Sequence, residues 1–153
     1  MNQDLYDKII DQYKDAFKLA EIKHFIPEEF VCKCGEDDCS YLVLDMDFVA
    51  LLDDFRNDMG FAFRLTSGYR CPLHPAEREK IHPGPHQTGK AVDGAFVGLS
   101  AYSLLYGLGM HTAHGSPFMG IGLNQKGDHD TRFIHLDTCV SEPWRPRPHI
   151  WTY

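Results

Sequence analysis

The stretch His86-Gln87-Thr88-Gly89-Lys90-Ala91-Val92-Asp93 carries an imidazole and a carboxylate on either side of a glycine. The two converge if the chain turns at Gly89 and enters a strand, because Ala91 and Asp93 then point to the same side. A strand is predicted over 91–97. A second stretch, Phe133-Ile134-His135-Leu136-Asp137, alternates in the same manner. His135 and Asp137 share one of its faces, while Ile134 and Leu136 turn to a core.

Further strands are predicted on either side of these two. Residues 61–66 and 119–123 read as strands, and 124–131 as the polar turn that leads into the 132–137 strand. Between 71 and 88 the chain holds four prolines and three histidines, so an ordered loop is predicted there, with a helical turn at 76–80. Loops of that length inside a domain usually carry function.

Helices are predicted early in the chain. Leu5, Ile9, Tyr13, Phe17 and Ala20 recur at helical spacing over 4–23. A second helix over 45–58 gathers Phe48, Leu51, Leu52 and Phe55 on one face and closes at Met59-Gly60. Ser100 is predicted to cap a third helix bearing Leu104, Leu105 and Leu108. Helices first and strands later imply an α+β fold with a small antiparallel sheet and flanking helices. The 153 residues suit a single domain: an N-terminal helix over 1–23 and a core over 24–153.

A hydrophobic fraction of 43% argues for a folded chain, and a net charge of −7 leaves no basic face for a phosphate backbone. Nucleic acid is therefore not an expected partner. The start, Met1-Asn2-Gln3-Asp4-Leu5-Tyr6-Asp7, is acidic and polar, unlike a signal peptide, and no run reaches membrane-span length. A monomer made in the cytoplasm, without membrane insertion, is expected. Five cysteines without an export signal point to reduced thiols or a metal site instead of a disulfide framework. Cys32-x-Cys34-x4-Cys39 sits in a loop rich in glycine and aspartate, and Cys71 could complete a four-thiolate structural zinc site. Ordinary reduced thiols are the competing reading. Cys139 reads as a packing residue.

Imidazole and carboxylate are both zinc ligands, so His86 and Asp93 can share an ion, with a third ligand from the His135 and Asp137 strand face. Three protein ligands leave a fourth position for water, which is the catalytic arrangement. A structural pairing of His and Asp is the competing reading of the same spacing. Two imidazoles and a carboxylate also suit iron(II). His24, His74, His111, His114 and His149 read as surface or hydrogen-bonded side chains.

In order along the chain stand Ser67-Gly68-Tyr69-Arg70, His86-x-x-Gly89-Lys90-Ala91-x-Asp93, Gly120-Ile121-Gly122 and Phe133-Ile134-His135-Leu136-Asp137. The set resembles the zinc D-alanyl-D-alanine carboxypeptidase family, which includes the vancomycin-resistance dipeptidases and many phage endolysins. The metal site of that family is similar to that of the hedgehog signalling domain. The opening 25–35 and the ending Arg145-Pro146 to Trp151-Thr152-Tyr153 are similar to a phage-associated branch. The resemblance spans roughly residues 24–153.

It implies a zinc ion on His86, Asp93 and His135, with Arg70 beside the substrate carbonyl or carboxylate, where its guanidinium can bind and polarise oxygen. It implies a peptidoglycan stem peptide as substrate, cut either at a terminal D-Ala-D-Ala bond or internally in the manner of an endolysin released at lysis. Two departures stand out. Gly84 occupies a position where many members have serine. Phe133 and Arg132 occupy those where members carry a histidine or glutamate as general base. Asp137 is then the leading candidate for the base, with an orienting role for the same carboxylate nearly as well supported. His129 and Asp130 are the other candidates. The missing base also keeps a second function open, a catalytically inactive zinc-containing module that binds cell wall or protein.

Overall fold

A computed structural model describes residues 2–113 and 118–153. Helix α1 spans Gln3–Leu19, with the Asn2 side chain accepting from Leu5 N–H. It ends at Leu19, four residues before the predicted limit, with Ala20 as its cap. Ile22 N–H returns to Phe17 carbonyl and Glu21 N–H to Lys18 carbonyl, with Glu21 left-handed at φ 54°. A glycine usually marks such a cap, and here a glutamate fills it. Helix α2, Met46–Met59, follows the prediction closely: Asp45 caps its start by accepting from Phe48 N–H, and Gly60 closes it at φ 68°. Helix α3 spans Leu99–Ala113. Ser100 lies inside its first turn and exchanges hydrogen bonds with the Val97 backbone, so the predicted cap residue sits within the helix it was to start.

Five strands form one sheet: β1 Leu65–Ser67, β2 Ala91–Gly94, β3 Gly120–Asn124, β4 Phe133–Asp137 and β5 His149–Thr152. Their order is β1-β2-β4-β3-β5. All pairings are antiparallel except β3 with β5, which is parallel. The fold is thus α+β with a mostly antiparallel sheet. Two predicted strands are shorter than expected. In 61–66 the Phe63 side chain is drawn into the core against Phe96, leaving only the end of the segment to pair. The strand after Gly89 stops at Gly94. Strand β5 has no counterpart in the sequence reading.

One sheet face packs on the helices. Val92, Ile134 and Leu136 join Phe48, Val49, Leu52, Phe55, Leu104 and Leu108 in the buried cluster, with Ile10 and Phe17 from α1. The opposite face carries a continuous row from edge to edge: Ser67, Asp93, His135, Gly122 and Trp151 are register partners across all five strands. No helix among the described residues is long and apolar enough to cross a membrane.

Gly89 makes the turn that feeds β2. Its φ is 70°, and a Cβ there would lie 2.5 Å from the Val43 carbonyl oxygen and 2.8 Å from Leu44 Cα. Its own carbonyl accepts from Asp45 N–H, tying the turn to the start of α2. Gly60 is left-handed too, but a Cβ there meets open space. Gly60→Ala is therefore expected to cost about 1 kcal/mol from backbone strain alone. Gly89→Ala adds overpacking against a fixed backbone and is expected to cost at least ~2 kcal/mol. Urea midpoints of the two variants check the difference. Equal losses would mean that the close approach at Gly89 carries no weight.

Candidate metal centre

Three elements bring the ligands together. His86 lies in a 3-10 turn, Pro85–Thr88, Asp93 on β2, and His135 beside it on β4. His86 Nε2 is 3.2 Å from Asp93 Oδ1 and 3.1 Å from His135 Nδ1, and His135 Nδ1 is 2.9 Å from Asp93 Oδ1. These edges are close to the ~3.3 Å that separates ligand atoms around a tetrahedral ion with bonds of 2.0–2.1 Å. All three residues are 2–3% exposed.

The outward-facing contacts of the two imidazoles set the tautomers that the neutral rings adopt. His86 Nδ1 is 2.6 Å from the Gly68 carbonyl, which only accepts, so a neutral His86 carries its proton on Nδ1. His135 Nε2 is 3.0 Å from Asp137 Oδ2 and donates to it. The two inner nitrogens therefore present lone pairs to the Asp93 carboxylate. In that state three acceptors converge and need a shared cation between them, either a proton taken up by an imidazole or a metal ion. These residues can hold a metal ion.

The two imidazoles shift in opposite directions. Burial drives His86 below its ordinary pKa, against the pull of Asp93. Burial acts on His135 as well, but it faces two carboxylates, Asp137 and Asp93, and their hydrogen bonds raise it instead. Asp93 resists the effect of burial and lies far below the usual carboxylate range, held there by both histidines.

Asp137 stands behind His135, on the side away from the inner nitrogen. Oδ2 takes the His135 proton and a bond from Arg147 at 2.6 Å, and Oδ1 accepts from Arg147 Nε and from Cys139 N–H. Burial would raise this carboxyl, yet His135 and Arg147 hold it well below its usual value. A fully engaged anion of this kind orients a ligand. Arg70 is likewise committed: its guanidinium donates to Asp93 Oδ2 at 2.5 Å and to Ser67 Oγ at 2.9 Å. His129 and Asp130 lie in the exposed turn His129–Thr131, and neither is among the hydrogen-bond partners of the three ligands.

Several residues to which the sequence assigned no part in the centre shape it. Arg147 grips Asp137 and lies 5.2 Å from the Trp151 ring, which in turn sits 5.2 Å from His135. Trp151 crosses β3 where a Cβ on Gly122 would come within 2.7 Å of the indole, and a Cβ on Gly120 would run into the Asp137 carboxylate. The Gly120-Ile121-Gly122 motif thus clears room for the Asp137–Arg147 pair and for Trp151. Glu77 explains Gly84: a Cβ at 84 would lie 2.5 Å from Glu77 Oε2, so the buried carboxylate takes the space a serine would need. Among the histidines read as ordinary, His111 pairs with Asp58, His74 accepts from Ala76 N–H, and His149 stacks on Trp151. His114 lies outside the described residues.

Glu77 is also a pH-sensitive support. Burial pushes its carboxyl up, but hydrogen bonds from Lys80 at 2.8 Å and Gln87 at 3.0 Å outweigh this and leave the pKa lowered. A lowered folded pKa stabilises fully above the unfolded value and loses that stability as pH falls through the folded one. Glu77→Gln is expected to cost about 1–3 kcal/mol at neutral pH. The gap to wild type should narrow below the ordinary glutamate pKa of about 4.3. Urea titrations across that range test the sign, and a gap that widens in acid would contradict it.

Beside the centre opens a cleft of about 650 Å³, whose lining includes His82, Trp144, Arg145, Arg147, His149 and Trp151. Elsewhere the four cysteines 32, 34, 39 and 71 also converge into a group that can hold a metal. Cys139 is buried, as read from sequence. Compared with models of known families, curated proteins and solved structures, the chain matches none.

Proposed function

We propose that the chain is a zinc-dependent peptidase that cleaves peptidoglycan stem peptides, with the ion on His86, Asp93 and His135. The observation that carries this reading is the convergence of three buried ligand-type atoms, His86 Nε2, Asp93 Oδ1 and His135 Nδ1, at tetrahedral spacing, with both outer ring nitrogens already bonded. The ordered motifs from Ser67 to Asp137 support the substrate class through their resemblance to the D-Ala-D-Ala carboxypeptidases. The same resemblance, with ligands from a loop and two neighbouring strands, supports a hedgehog-like and D-Ala-D-Ala-peptidase-like fold.

A zinc ion at this position supplies a Lewis acid for a scissile carbonyl and an acidified water as nucleophile. The protein's own residues do the rest. Gly68 and Asp137 hold the two imidazoles in the tautomers that point lone pairs inward. Arg70 occupies the second oxygen of Asp93, so that carboxylate offers one oxygen to the centre. The cleft is lined by Arg145 together with Trp144 and Trp151, while Arg147 is already committed to Asp137. Such a surface suits a peptide with a free carboxylate.

Purified sacculi and free D-Ala-D-Ala dipeptide, each incubated with the zinc-loaded chain, test the proposal by mass identification of products. Zinc-dependent release of a stem-peptide fragment or of D-alanine is expected. Fragments from sacculi alone would identify an endopeptidase, and D-alanine from the dipeptide a carboxypeptidase. Tight zinc binding without a product from either would overturn the peptidase reading in favour of a binding module.

A further inference from the structure

The sulfur atoms of Cys32, Cys34, Cys39 and Cys71 all lie within 4.8 Å of one another, with Cys34 and Cys71 3.5 Å apart. Zinc–sulfur bonds of about 2.3 Å in a tetrahedron place sulfurs roughly 3.8 Å apart, so the cluster has the size of a four-thiolate site. Three of the four are buried and Cys34 is half-buried. Backbone amides already point at the sulfurs: Cys71 N–H donates to Cys32 and Tyr41 N–H to Cys39, each at 3.3 Å. Amide donors of this kind stabilise thiolate over thiol. Four thiolates together need a cation.

We propose that Cys32, Cys34, Cys39 and Cys71 hold a structural zinc ion, separate from the His86, Asp93 and His135 centre. Four protein ligands close the coordination shell, which distinguishes a structural site from a catalytic one. Its place in the fold gives it a task. Three ligands come from the loop 32–39, and the fourth directly follows Arg70, the residue that holds Asp93. The same two segments are joined by Tyr69 N–H to the Phe30 carbonyl and by Tyr69 hydroxyl to Ser40, both at 2.7 Å. The ion clamps the loop onto the segment 68–71, whose Gly68 carbonyl fixes His86. The proposal stands on the four sulfurs and does not rest on the peptidase reading.

Metal analysis and cobalt substitution of the full chain test it. Two zinc equivalents per chain are expected. Replacement by cobalt(II) should give an intense thiolate-to-metal charge-transfer band, which a centre of nitrogen and oxygen ligands cannot produce. Cys34→Ser with Cys39→Ser should lose one equivalent and that band while the other equivalent stays. As a check independent of the variant's folding, the wild-type chain is also titrated with an organomercurial, and one zinc should be released as the four cluster thiols react, Cys139 being the fifth, buried thiol. A wild-type chain without the band, or thiols that react with no zinc released, would overturn the proposal, as would iron in place of zinc. If the band appears while the histidine centre binds nothing, this proposal stands and the peptidase reading falls.

Discussion

His86→Ala is expected to abolish hydrolysis of cell-wall peptide while leaving a folded chain. The imidazole is buried at the junction of the 3-10 turn and the sheet, and it supplies one of three converging ligand atoms. Its removal leaves two ligands, too few to hold zinc against solvent. A zinc ion held there would supply an acidified water as nucleophile, and a chain that cannot hold the ion would lack it at neutral pH. Activity should fall on the order of 10³-fold or more, with a parallel loss of bound zinc from that centre. The structural cost is smaller. The Gly68 carbonyl loses its donor, at about 1–3 kcal/mol, while the core behind β2 and β4 is untouched. Zinc content, turnover and far-ultraviolet circular dichroism of the same preparation separate these effects. A variant that keeps both its zinc and its activity would remove His86 from the centre.

Asp137→Asn is the second change with a large expected effect, and it decides between the two roles that the sequence left open for this carboxylate. Both its oxygens are engaged, by His135, by the Arg147 fork and by Cys139 N–H. An orienting residue acts through the ligand it holds, so zinc affinity should fall about 10- to 100-fold. Stability should fall with it. The Arg147 side chain is 4% exposed, and a neutral amide leaves its charge buried without a counterion, at about 3–5 kcal/mol. Arg147→Met added to Asp137→Asn should recover part of that stability, because the stranded charge is then removed as well. A general base gives a different pattern: turnover collapses while zinc affinity and melting temperature hold. That pattern would return Asp137 to the role of proton acceptor.

The convergence of His86 and Asp93 was partly legible from local rules, although spacing alone left a structural pairing open and only the family resemblance singled out His135 as the third member. A glycine between His86 and Asp93 allows the turn, and alternation after it sends Asp93 to the same face as its neighbour on β4. The start of α2 was legible at Asp45, and its end at Gly60, since caps have their own residue preferences. The end of α1 was not, because a glutamate took the left-handed position that glycine usually marks. Strand β5 was hidden for a different reason. It follows prolines 146 and 148, and it earns its place only by pairing in parallel with β3, a contact nearly thirty residues away in sequence. The Asp137–Arg147 fork and the exchange of a serine for Glu77 across Gly84 are tertiary events of the same kind. Chain spacing alone does not encode them. The cysteines lay between these cases: their number and loop suggested a site, and only the fold brings Cys71 to the other three.

X-ray anomalous scattering at the zinc edge, from crystals of the zinc-loaded chain, tests the central claim most directly. A peak is expected at about 2.0–2.1 Å from His86 Nε2, Asp93 Oδ1 and His135 Nδ1, with a solvent ligand completing the tetrahedron. No peak among these three residues, with the imidazoles hydrogen-bonded to Asp93 instead, would contradict it.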